Sequence, residues 1–86
     1  MQAEVQIVLY TKAGCGLCEE MKAEMQKAAC ESLYTLQEVD IEQNPELFAQ
    51  YRYDIPVLSI NGIEAFRHRL NAEEFKAYLC SLAGAG

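Results

Sequence analysis

The first hydrophobic run of the chain, Glu4 to Tyr10, is β-branched or apolar with little polar interruption. That pattern predicts a strand buried on both faces inside a sheet. Thr11-Lys12-Ala13-Gly14 then reads as a loop. From Gly16 to about Cys30 the period changes to that of a helix, with Leu17, Met21, Met25 and Ala28 spaced four, four and three apart as its buried stripe. Glu19, Glu20, Lys22, Glu24 and Lys27 fall on the wet face. Tyr34-Thr35-Leu36-Gln37-Glu38-Val39 returns to strand-like alternation. Asn44-Pro45 supplies an N-cap and a first-turn proline, opening a short helix to about Tyr51.

The last third is marked by turn and cap residues. Pro56-Val57-Leu58-Ser59-Ile60 is a third strand, and Asn61-Gly62 predicts a tight hairpin because both central positions of a type I′ turn need φ > 0. A fourth strand from Ile63 to about His68 then runs antiparallel to the third. Asn71 as N-cap, Glu74 as its capping-box partner, and Leu70 with Phe75 in hydrophobic-staple positions predict the final helix. Phe75, Tyr78, Leu79 and Leu82 line its inner face. The predicted order is βαβαββα, an α/β fold with three helices, and the right-handed crossover of the parallel pair leaves few topologies.

Composition narrows the class. The 86 residues (1–86) allow one domain, and a chain of this length buries roughly 60–65% of its unfolded surface. No apolar run approaches the roughly 20 residues that span a bilayer, so a soluble protein is expected. The start of the chain lacks a basic, apolar leader pattern, which points to a cytoplasmic location. A net charge of −6 disfavours nucleic acid and anionic membranes as partners, because phosphate binding relies on clustered Lys and Arg. Four cysteines would suit a secreted disulfide scaffold by number, but the helix-and-strand pattern with a real core argues against that class.

The chemistry centres on Cys15-Gly16-Leu17-Cys18. Two cysteines three apart on the first turn of a helix can close a small disulfide ring. Attack on a disulfide requires a thiolate, and an ordinary thiol with pKa near about 8.5 is only slightly ionised at neutral pH. Cys15 at the helix start faces unpaired backbone N–H groups, and Lys12 precedes it by three residues, so both can stabilise a negative sulfur. Cys18, one turn in, is the more buried thiol. Cysteines at this spacing also open many zinc ligand sets, but no second Cys or His pair completes one, so no metal is expected.

The cysteine pair, the element order and the lone Ile55-Pro56 together resemble a small glutaredoxin-like member of the thioredoxin superfamily, over about Val5 to Leu82. The resemblance implies a thioredoxin/glutaredoxin-like four-stranded mixed sheet of order 2-1-3-4. It also implies a thiol–disulfide oxidoreductase with Cys15 as nucleophile and Cys18 as resolving thiol. In this superfamily a cis-proline opens the third strand beside the cysteines. Pro56, preceded by Ile55, takes that place, and the Val57 backbone is expected to pair with the cysteine of glutathione or of a peptide. Lys12 matches the lysine with which glutaredoxins bind glutathione. No bound cofactor is implied; glutathione is the expected co-substrate, with protein disulfides and a reductase as further expected partners and a monomer as the working unit.

Three departures modify that picture. Gly16 stands where proline is usual, and Leu17 replaces a common aromatic residue. The Gly-Gly-aspartate element of glutathione sites is replaced by Arg67-His68-Arg69-Leu70-Asn71. Strand alternation puts Arg67 and Arg69 on one face, where they either bind a substrate carboxylate or form a solvated edge that discourages aggregation. The rival reading is a redox-sensing module that docks on one protein through this surface without efficient glutathione turnover. An iron–sulfur carrier is disfavoured, since family members of that kind carry serine where Cys18 stands. Cys30 and Cys80 are expected to be small hydrophobes with free thiols, and Glu38, Asp40 and Glu42 a solvated rim.

Overall fold

The computed structural model describes residues 5–83. Its elements are β1 (Val5–Thr11), α1 (Gly16–Ala28), β2 (Tyr34–Asp40), α2 (Pro45–Tyr51), β3 (Val57–Ile60), β4 (Ile63–Arg67) and α3 (Ala72–Ala83), with single 3₁₀ turns at Glu31–Leu33 and Ile41–Gln43. The four strands form one sheet in the order β2-β1-β3-β4. β1 runs parallel to β2, from Val5 opposite Tyr34 to Thr11 opposite Asp40. β3 is antiparallel to β1, with Val57 opposite Tyr10, and also antiparallel to β4. This is the expected mixed sheet, and Asn61 and Gly62 turn the hairpin with φ of 52° and 84°.

One sheet face carries the main core. Val5, Ile7 and Leu9 of β1 alternate onto it and are buried together with Met21, Met25 and Ala28 of α1, Leu58 and Ile60 of β3, and Phe75 and Leu79 of α3. Phe75 is its aromatic hub, edge-on to Tyr34 at 5.7 Å and to Phe66 at 6.4 Å between ring centroids. The opposite face is covered only where α2 reaches. Tyr10 stacks on Tyr51 at 4.6 Å, whereas Gln6 is exposed and Val8 half-buried. Beyond the stack a cleft of about 360 Å³ opens over Val8, Val57 and Ser59. The expectation that β1 is buried on both faces is therefore corrected: a helix of seven residues is too short to cover the second face.

Other local differences have plain causes. α1 stops at Ala28 because Ala29 turns left-handed (φ 56°, ψ 43°) and donates its N–H to the Gln26 carbonyl, so Cys30 lies outside the helix. Leu17 is 36% exposed, and Cys18 takes its place in the buried stripe with Met21, Met25 and Ala28. Leu82 is 44% exposed. The acidic rim is tied down: Glu38 pairs with Lys22 at 3.2 Å, and Asp40 accepts the Glu42 N–H at 2.9 Å.

Candidate active site

Gly14, with φ 78°, lets the chain leave β1 and enter α1 after a four-residue loop. Cys15 follows as the N-cap residue, with extended backbone (φ −90°, ψ 107°), and its Sγ accepts the Cys18 backbone N–H at 3.0 Å. A capping oxygen ordinarily takes that hydrogen bond; here a sulfur does, at the positive end of the helix dipole. Cys15 and Cys18 are joined in a disulfide, with their Cα atoms 5.2 Å apart. Cys15 is half-buried and Cys18 fully buried, which is the exposed-and-buried asymmetry expected of the pair. A Cβ built on Gly16 would meet nothing within 4 Å, so the surface over the first turn is open.

The disulfide rests on a second small core. Cys18, Ile41 and Ile55 are buried together, with Tyr10, Cys15, Leu47, Phe48 and Tyr51 packed against them. Asn44 holds α2 in place by accepting the N–H groups of Glu46 at 2.9 Å and Leu47 at 3.2 Å. The Tyr51 hydroxyl has its pKa raised, first by burial and then by Tyr10 and Glu64. The Ile55–Pro56 peptide is cis, and Pro56 is fully buried. The Ile55 N–H is donated to the Tyr51 carbonyl at 3.1 Å, and the Pro56 carbonyl accepts the His68 N–H at 2.7 Å. Val57 is 0% exposed and lies between Tyr10 of β1 and Arg67 of β4. At Val57, β3 is an internal strand with β1 on one side and β4 on the other, as the expected sheet order requires.

The cationic residues are distributed differently from the sequence expectation. Lys12 is half-buried and makes no ion pair among the described residues. β4 ends at Arg67; His68 turns to φ 70°, and the Arg69 N–H bonds the Arg67 carbonyl at 2.7 Å. The alternation expected to place Arg67 and Arg69 on one strand face stops at that turn. Arg69 is exposed, whereas Arg67 is engaged by two carboxylates of its own chain. Its Nε donates to Glu64 Oε2 at 2.8 Å, Nη2 approaches the same oxygen at 2.5 Å, and Nη1 lies 3.4 Å from Asp54 Oδ1. The hydrogen bond to Glu64 is the main reason that the Arg67 pKa is raised still further.

Sequence reasoning does not single out Asp54 and Glu64. Residues three apart point to opposite faces of a regular strand. Here β4 advances from Phe66 to Glu64 while β3 advances by one residue from Leu58 to Ser59, leaving Ala65 as the extra residue of a bulge. The bulge restores Glu64 to the side of Arg67. The sequence offers only an acid just before the lone Ile-Pro and another inside the last strand. Cys30 is buried and its thiol donates to the Ala28 carbonyl at 3.3 Å, while Cys80 is exposed; both are free. No group of three or more metal-ligating side chains occurs among the described residues, and no described helix is long and apolar enough to cross a membrane.

Residues 6–80 match the family described as Glutaredoxin-like domain (DUF836). The Glutaredoxin-like protein YDR286C homolog of Dictyostelium discoideum is 30% identical over 76 residues, covering 81% of this chain and 70% of that protein. Among solved structures, protein Ne2328 from Nitrosomonas europaea superposes with a TM-score of 0.74 at 29% identity, over 91% of this chain and 94% of that one. Chloroplastic thioredoxin z superposes with a TM-score of 0.69 at 22% identity, over 96% of this chain and 80% of that one, which is a likeness of fold. The family match and the glutaredoxin-like relative, with the cysteine pair at the start of α1, support a redox-type function. The chain belongs to the glutaredoxin-like domain family, and its fold is that of the thioredoxins.

Proposed function

We propose that this protein is a thiol–disulfide oxidoreductase working through Cys15 and Cys18, with glutathione or a protein thiol as its exchange partner. The observation that carries the reading is the Cys15 Sγ capping α1: the half-buried sulfur accepts a backbone N–H at 3.0 Å and is bonded to a fully buried second cysteine. The same N–H and the helix dipole favour the thiolate when the pair is reduced. Lys12, in the loop three residues earlier, is the cation that sequence position offers to the same thiolate.

In the reduced protein the Cys15 thiolate attacks one sulfur of a substrate disulfide. A mixed disulfide forms, and the other substrate sulfur leaves as a thiolate that takes up a proton. Cys18 then loses its proton and attacks Cys15 Sγ, which expels the second substrate thiolate and closes the Cys15–Cys18 bond. Two electrons pass to the substrate. Two external thiols, themselves oxidised to a disulfide, return the pair to the dithiol.

The test is redox equilibration of the protein in glutathione buffers, with mass spectrometry of a Cys18→Ser variant. A reversible two-electron couple and a glutathione adduct on Cys15 of the variant are expected. A couple without an adduct restricts the exchange partner to proteins, and the absence of any couple overturns the reading.

A further inference from the structure

We propose that Arg67 is a positioning residue, a latch that ties the Asp54–Pro56 segment to the end of β4 and so holds the wall beside Cys15 against which a disulfide substrate is presented. The inference rests on the oxidoreductase reading and assigns Arg67 a role other than the substrate-carboxylate ligand suggested by its sequence position.

The segment that carries the cis peptide is anchored on both sides by consecutive residues. Asp54, immediately before Ile55, meets Arg67 Nη1 at 3.4 Å, and the carbonyl of Pro56 accepts the N–H of His68 at 2.7 Å. Between these anchors lies Ile55, buried in the cluster that contains Cys18 and packs against Cys15. Both anchors join β4 and the residue after it to this segment just ahead of the first ladder pair, Val57 with Arg67.

The guanidinium itself is already committed. Its Nε and Nη2, the fork that would grip a substrate carboxylate, both point at Glu64 Oε2. Two acids against one cation leave a net negative charge in the cluster, so a third carboxylate would meet repulsion there. The bulge at Ala65 brings Glu64 round to Arg67, and the remaining Nη1 lies 3.4 Å from Asp54 Oδ1. Glu64 therefore orients Arg67, and Arg67 holds Asp54.

The test compares Arg67→Ala, Arg67→Lys, Asp54→Asn and the double variant Arg67→Ala/Asp54→Asn in the full chain. Reduced protein is reacted with glutathione disulfide, which is anionic, and with bis(2-hydroxyethyl) disulfide, which is neutral. Alkylation of Cys15 by iodoacetamide and hydrogen exchange at the His68 amide are measured in parallel. For a half-exposed pair, each single variant is expected to slow reaction with both disulfides by about two- to fivefold, with the double variant no slower than the singles. Arg67→Lys recovers part of the loss, the iodoacetamide rate is unchanged, and His68 exchange accelerates in the Ala and Asn variants.

A loss confined to glutathione disulfide makes Arg67 a substrate ligand and overturns the proposal. So do unchanged His68 exchange in Asp54→Asn, or additive losses in the double variant. A wild-type protein that reacts with neither disulfide overturns the oxidoreductase reading, and the positioning role with it, while the His68 exchange data still report separately whether the contact exists.

Discussion

Ala29 holds a left-handed conformation (φ 56°, ψ 43°) at the end of α1, where its N–H closes the last turn onto the Gln26 carbonyl. An L-residue with a Cβ is disfavoured there by about 1–2 kcal/mol, part of which glycine would give back through the greater freedom of the unfolded chain. Ala29→Gly is therefore expected to stabilise the protein by about 0.5–1 kcal/mol, read as a higher midpoint in urea with an unchanged slope. Residues whose behaviour follows from near neighbours along the chain are legible in the sequence alone. Cys15 and Cys18 are placed by their spacing at a helix start, and Pro56 by family resemblance. Leu17 departs from its expected place: α1 begins at Gly16 and its inward face runs through Cys18, Met21 and Met25, so Leu17 turns to solvent. Asp54 and Glu64 carry no such signal: Glu64 meets Arg67 through a bulge that no local pattern announces, and Asp54, ahead of β3, meets it from 13 residues earlier in the sequence.

Among the elements, α3 is the most strongly signalled at its start. Asn71 Oδ1 accepts the N–H groups of Glu73 at 2.8 Å and Glu74 at 3.1 Å, as its sequence position predicts. Asn71→Ala should cost about 1 kcal/mol, measurable as a lower urea midpoint. A third N–H of the same helix end, that of Ala72, is donated across to α1, to Glu24 Oε1 at 3.0 Å, while Glu24 also pairs with Lys27 at 2.9 Å. The hydrogen bond from Lys27, and after it the one from Ala72, lower the Glu24 pKa. A carboxyl with a depressed folded pKa stabilises above its unfolded value, near about 4.3, and that contribution is lost as pH falls through the lower folded value. Glu24→Gln is accordingly expected to reduce stability near neutral pH and to flatten its decline in the acid range, checked by urea melts from about pH 7 down to about pH 3. The cap is readable from sequence; the helix-to-helix bond is not, since 48 residues separate Glu24 from Ala72.

For the whole molecule the decisive contacts converge on Phe75 of α3, fully buried in the core that the sheet and α1 complete and edge-on to Tyr34 and Phe66. Phe75→Ala should cost about 3–5 kcal/mol, a large share of the roughly 5–15 kcal/mol that holds a domain of this kind together. The expected result is a melting midpoint lowered by tens of degrees or a chain already partly unfolded at about 25 °C, followed by circular dichroism. By itself the sequence determined the element order, the hairpin, the caps of α2 and α3 and the redox pair, because periodicity, turn chemistry and capping act over a few residues. Only the tertiary structure decided that α2 leaves part of a sheet face open, that a bulge interrupts β4 at Ala65, and that Arg67 is spent on Asp54 and Glu64. Those outcomes depend on strand register, a bulge and the reach of one short helix, which bring together residues whose separation along the chain carries no signal of their meeting.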